Sequence, residues 1–135
     1  MKKKEPFWIL ERVVLAAHSR LLAVHGGAEG LRDSGLLQSA LARPRQHYSY
    51  SSPDIIELAA LYTAALVRNH PFVDGNKRTG FAIGVAFLEL NGFVLQAAET
   101  DATQAVLALA TGDIDEAGYG AWLRSNSKRA KPRRK

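Results

Sequence analysis

Between His70 and Gly80 the chain reads His-Pro-Phe-Val-Asp-Gly-Asn-Lys-Arg-Thr-Gly. Six of these residues could do chemistry together. His70 can take a proton near neutral pH. Asp74 is a carboxylate that can hold a hard cation, and Gly75 lets backbone come close to a ligand. Asn76 adds an amide, Lys77 a compact positive charge, and Arg78 a fork that grips phosphate oxygens in pairs. If Asp74-Gly75 opens a helix, the first amide groups beyond it have no internal acceptor and face outward in a field of roughly half a positive charge. Such a terminus suits phosphate. A lone carboxylate among these cations fits best as a ligand of Mg²⁺, which bridges phosphates through one or two protein carboxylates plus water. An ordinary interhelical turn, with Asp74 as its cap and Lys77 and Arg78 solvated, needs one cap and one glycine. It has no use for all six residues.

Two apolar segments must position this stretch. Ser52-Pro53-Asp54 reads as a helix start, with Ser52 as cap and Pro53 at the first helical position. Ile56, Ala60, Ala64 and Val67 then form one stripe, widened by Ile55, Ala59 and Tyr62. Pro71 disfavours the helical region at the residue before it, so His70 is expected just past the last turn. From about Asn76 to Asn91 the next segment is apolar nearly all round, which marks it as the central helix, with Gly92 as its C-terminal signal.

The rest of the chain supplies further helices. Leu10, Val13, Val14, Ala17, Leu21, Leu22 and Val24 recur at helical spacing, and His25-Gly26-Gly27 stops them. Residues 25 to 33 are then a loop. Asp33 or Ser34 can cap a short helix that Pro44 ends. Phe93 to Gln96 is a candidate extended piece. Thr100 or Asp101 starts another helix, and Asp113 with Glu116 resembles a capping box for the last one, whose apolar face is Tyr119, Trp122 and Leu123. The expected fold is all-α: a compact bundle of five to six helices around a central buried helix.

Composition sets the limits. One hundred and thirty-five residues, 47% hydrophobic, suit a single core. Cysteine is absent, which removes disulfides and thiolate chemistry. No apolar run reaches the ~20 residues of a membrane span, and Met1-Lys-Lys-Lys4 lacks a signal-peptide core, so a cytoplasmic protein is expected. The net charge of +5 belongs to the ends. Between Glu5 and Leu123 eight cations face thirteen acids, a body of net charge −5. Residues 1 to 7 therefore read as a basic N-terminal segment, 8 to 123 as the domain, and 124 to 135 as a basic, disordered tail. Nucleic acid is not an expected partner of the body and is conceivable only for the tail. His18 reads as a core or half-buried residue, His25 as a helix-end residue and His47 as a loop residue.

The loop from His70 to Thr79 resembles the signature of the Fic/Doc (Fido) superfamily, in its Doc, or death-on-curing, branch. Arg68-Asn69, Phe87 to Gly92, His25 to Asp33 and Gly35 to Pro44 also look Doc-like, so the resemblance covers residues 8 to 123. It implies roles residue by residue. His70 would be the base that activates a target hydroxyl, and Asp74 the Mg²⁺ ligand. Asn76 and the amides after Gly75 would be the phosphate cradle, and Arg78 a phosphate clamp. Lys77 stands where adenylylating Fic enzymes usually carry glycine, and Phe81 where they usually carry a second arginine. In Doc-like proteins this change goes with an inverted nucleotide and transfer of the γ-phosphate of ATP.

The resemblance therefore implies a toxin kinase of a toxin-antitoxin system. Its substrate would be a Ser or Thr of a translation factor, elongation factor Tu or one like it. Its partner would be a Phd-like antitoxin whose C-terminal segment occupies a groove near the active site. Self-restrained Fic proteins often carry Ser/Thr-x-x-x-Glu, and no Ser or Thr here has Glu four residues later. Restraint is thus expected from another chain. The loop from Gly26 to Asp33 would be the flap that aligns the target, with Arg32 as a contact. An adenylyltransferase of the same fold and a non-catalytic phosphate- or partner-binding module remain the alternatives at this point.

Overall fold

In the computed structural model, which describes residues 4–131, six helices and a two-stranded sheet follow one another along the chain. They are α1 (Glu11–His25), α2 (Ser34–Tyr50), α3 (Ile55–Asn69), α4 (Asn76–Leu90), β1 (Phe93–Leu95), α5 (Glu99–Thr111), α6 (Glu116–Ser125) and β2 (Ser127–Arg129). The expected all-α bundle is what forms.

Its centre is α3, not the helix after the loop. Eleven residues of α3 are buried, Ile56 and the unbroken run from Leu58 to Val67, and it packs on α2, α4 and α6. Helix α4 buries one face, which includes Ile83, Gly84, Phe87 and Leu88, while Phe81, Ala82, Val85 and Ala86 stay half-exposed. Its all-round apolar composition therefore overstated its burial.

The start of α3 also differs from the expectation. Asp54 is the cap: its carboxylate accepts from the Glu57 amide at 2.9 Å, and Glu57 reaches back to the Asp54 amide. That reciprocal pair satisfies two amides at the helix start, and Ser52 is not the cap. At α6 the cap is Asp115, which accepts from the Gly118 amide at 2.8 Å. Glu116 is spent elsewhere, bridging Arg43 at 2.8 Å and Arg68 at 3.0 Å.

Pro44 does not end α2. It is buried inside the helix, which continues to Tyr50. A mid-helix proline loses one hydrogen bond and costs ~3 kcal/mol, so something must hold the turns beyond it. The Trp8 ring meets Tyr48 edge-on at 5.5 Å, and the Arg45 guanidinium lies over Trp8 at 5.4 Å. Tertiary contact overrides the local breaker.

The basic end is likewise more ordered than its composition suggests. Arg124 and Ser125 close α6, and Ser127, Lys128 and Arg129 pair antiparallel with Leu95, Val94 and Phe93. The expected disordered tail therefore does not begin at Arg124; residues 132 to 135 lie outside those described. At the other end, Asn91 holds Phe7 through both its amide and its carbonyl, at 2.8 and 3.0 Å. No helix of the described residues is long and apolar enough to cross a membrane.

Candidate active site

The α3–α4 connection is built from the core outward. Helix α3 ends where Pro71 requires, and His70 becomes its left-handed cap at φ 53°, ψ 54°, with its side chain exposed. The last carbonyls of a helix need donors. Arg32 supplies them, giving Nε to the His70 carbonyl at 2.7 Å and Nη2 to the Asn69 carbonyl at 3.0 Å. The guanidinium expected to contact a target is thus already holding the end of α3 in place.

The flap from Gly26 to Asp33 runs antiparallel to this stretch. The Pro71 carbonyl accepts from the Arg32 and Asp33 amides at 2.7 and 3.0 Å, Leu31 bridges Phe72, and the Gly30 carbonyl accepts from Val73 at 3.0 Å. Phe72 plugs the loop into the core, only 1% exposed. Asn76 closes the loop behind it: its Oδ1 accepts from the Phe72 amide and its Nδ2 donates to the Phe72 carbonyl, both at 2.9 Å. This buried side chain is engaged at both Oδ1 and Nδ2, and its backbone amide is left for an anion cradle.

Gly75 sits at φ 81°, a conformation strained for any residue with a side chain, and turns the chain into α4. The first internal hydrogen bond of α4 runs from the Thr79 amide to the Gly75 carbonyl. The amides of Asn76, Lys77 and Arg78 consequently have no acceptor among the described residues. Lys77 and Arg78 are exposed beside them, with no acidic partner among those residues. Both line a groove of about 550 Å³ between α4 and α5, whose walls include Phe81, Leu95 and Val106.

Asp74 lies at the mouth of this turn. Its Oδ1 accepts from the Gly75 amide at 2.8 Å and its Oδ2 from the Ala28 amide of the flap at 3.2 Å. These two bonds, Ala28 first, outweigh desolvation and hold its carboxyl below the usual carboxylate range, with Arg78 and Lys77 adding to the effect. It is therefore ionised at neutral pH and keeps lone pairs toward solvent. No cluster of three or more His, Cys, Asp or Glu capable of holding a metal occurs among the described residues. The donor set is one exposed hard oxygen ligand beside unpaired helix-terminal amides, which would fit Mg²⁺ shared with an anion and water and does not fit a closed protein cage.

The chain matches the model of the Fic/DOC family over residues 8–88. It belongs to the Fic/DOC family. Within that family it is 42% identical over 95 residues to a protein named Toxin Doc from Mycolicibacterium smegmatis (strain ATCC 700084 / mc(2)155), a match spanning 67% of this chain and 72% of the relative.

The sequence reading of His18 as a core or half-buried residue holds, but its contact with the His70–Gly80 loop was not foreseen. His18 of α1 is buried, its ring stacked on Phe72 with centroids 3.7 Å apart and planes at 8°, and its Nε2 lies 2.8 Å from the Asp74 carbonyl oxygen. A signal was present: His18 shares the buried face of its helix with Val14, four residues earlier. A polar side chain on such a face must find a buried partner, but the sequence does not say which.

Proposed function

We propose that this chain is a Doc-type toxin that transfers the γ-phosphate of ATP to a Ser or Thr hydroxyl of a translation factor. The observation that carries this reading is the composition of the α4 terminus. Three free amides and the cations Lys77 and Arg78 offer a seat for one phosphoryl group, while one turn later Phe81 stands where an adenylylating enzyme usually has a second arginine. A terminal phosphate suits the seat, and Phe81, in the groove beside it, supplies no charge to a further phosphate group. Family membership and the Toxin Doc relative support the toxin half of the reading.

In the proposed reaction His70 accepts the proton of the target hydroxyl as its oxygen forms a bond to the γ-phosphorus. The bond from that phosphorus to the bridging oxygen breaks, and ADP leaves. The amides of Asn76, Lys77 and Arg78 and the Arg78 guanidinium hold the transferring oxygens, where positioned donors lower the barrier most. Mg²⁺ bound through Asp74 would neutralise phosphate charge. The flap, zipped to Pro71 and Val73, presents the target segment beside His70. Restraint falls to an antitoxin, whose C-terminal segment would cover the groove of about 550 Å³ beside Lys77 and Arg78.

The test is incubation of the purified chain with a cell lysate and ATP labelled at either the α- or the γ-phosphate. Label passing to a translation factor only from the γ-position supports the kinase. Transfer from the α-position assigns an adenylyltransferase instead. Growth arrest that persists in a His70→Ala variant without antitoxin, with no label transferred, points to a non-catalytic module.

A further inference from the structure

We infer that His18 is a positioning residue for Asp74, acting on its carboxylate through the peptide plane between Asp74 and Gly75. The inference rests on the reading of Asp74 as the ligand of a nucleotide-bound divalent cation.

A carbonyl oxygen only accepts, so the 2.8 Å contact requires a hydrogen on His18 Nε2. The carbonyl it holds belongs to the same rigid unit as the Gly75 amide, because the peptide group is planar and trans. Its C=O and N–H point in opposite directions. Fixing the carbonyl toward His18 therefore fixes the amide toward Asp74 Oδ1, which it meets at 2.8 Å. One donor beneath the loop sets the direction of the carboxylate above it. The Ala28 amide, at 3.2 Å from Oδ2, completes the orientation from the flap.

The imidazole does two separable things. Its face stacks on Phe72 at 3.7 Å and packs the loop onto α1; its edge donates to Asp74. Phenylalanine at this position would keep the first and lose the second. Glutamine would keep a donor and lose the stack. A histidine serving only as core filling would show no difference in kind between these two replacements.

The experiment measures Mn²⁺ binding in the presence of ATP, by electron paramagnetic resonance, for the parent, His18→Phe and His18→Gln, together with melting temperature and with ATP binding in EDTA. Removing the group that orients a metal ligand typically weakens binding about 10- to 100-fold. His18→Phe should show that loss for Mn²⁺ at a melting temperature near the parent's, with metal-free ATP binding unchanged. His18→Gln should melt lower and retain Mn²⁺ close to the parent's affinity. If His18→Phe does not fold, His18→Gln decides alone: retained Mn²⁺ with lowered melting supports the role. Mn²⁺ affinity that follows melting temperature across the variants, or that is unchanged in His18→Phe, overturns it. A parent that holds ATP but no Mn²⁺ removes the metal role of Asp74 and this inference with it; loss of phosphoryl transfer alone leaves the binding comparison intact.

Discussion

Replacing Gly84 with alanine tests how α3 and α4 are held together, and through them how His70 is placed against the α4 terminus. A Cβ at Gly84 would lie 2.2 Å from Thr63 Oγ1 and 3.2 Å from the Ala59 carbonyl oxygen, so α3 leaves no room for a side chain here. Thr63 donates to the Gly80 carbonyl at 2.8 Å and cannot step aside without losing that bond. Overpacking a tight core contact costs about 1–3 kcal/mol, and the lost hydrogen bond adds about 1 kcal/mol. Alanine returns about 1 kcal/mol in helix propensity. The net destabilisation is therefore about 1–3 kcal/mol, a fall of about 4–12 °C in melting temperature for a domain of this size. The assay is urea or thermal unfolding of Gly84→Ala, Thr63→Ala and the double variant. With Thr63 gone the 2.2 Å clash disappears, and Gly84→Ala should cost almost nothing, giving a coupling of about 1–3 kcal/mol. An equal cost in both backgrounds, or a Gly84→Ala as stable as the parent, would refute the close approach as the reason for glycine.

Other outcomes follow from the same geometry. His70→Ala should lower phosphoryl transfer ~10²- to 10⁴-fold without lowering the melting temperature, since its side chain is exposed; single-turnover kinetics and a thermal melt check both halves. Asn76→Ala leaves the Phe72 amide and carbonyl without their partner, at roughly 1–3 kcal/mol for each buried group, so its defect should appear in unfolding curves and not only in nucleotide binding. Burial pushes the Tyr119 hydroxyl up to about 12, against the smaller opposing effect of Thr63. A raised folded-state value stabilises fully below the unfolded value near 10 and is lost as pH rises through the folded one. The parent should thus lose roughly 2–3 kcal/mol between pH 10 and 12 from this group, and Tyr119→Phe should flatten that slope in denaturant titrations.

What the sequence made legible was local. The end of α3 followed from Pro71, and the turn into α4 from Gly75, because each constraint acts within a residue or two. Helix existence followed from apolar spacing. What failed depended on distant partners. Pro44 reads as a terminator until Trp8 is known to receive Tyr48 and Arg45. Ser127-Lys128-Arg129 reads as a solvated tail until Phe93, Val94 and Leu95 present a strand to it. The centrality of α3 over α4 was hidden for a related reason: composition reports how much of a helix could be buried, and only the neighbours decide how much is. At the site the same division holds, with His70, Asp74, Lys77 and Arg78 in one readable run and His18 fifty-six residues away in the chain from the carbonyl it holds.

The loop also separates groups that build it from groups that it leaves free, and the separation bears on function. Phe72, Asn76 and the Asp74 backbone are consumed by the structure, as is the guanidinium of Arg32. The side chain of His70, the amides of residues 76 to 78, and the side chains of Lys77 and Arg78 have no partner among the described residues. Elsewhere Arg43 and Arg68 are paired with Glu116, and Arg124 with Asp54. Leaving two cations and three amides without a hydrogen-bonded or ion-paired partner at one helix terminus concentrates positive potential there. That raises the energy of the turn by itself and lowers it when an anion arrives. The arrangement supports the proposed reading, in which a phosphate group occupies this terminus.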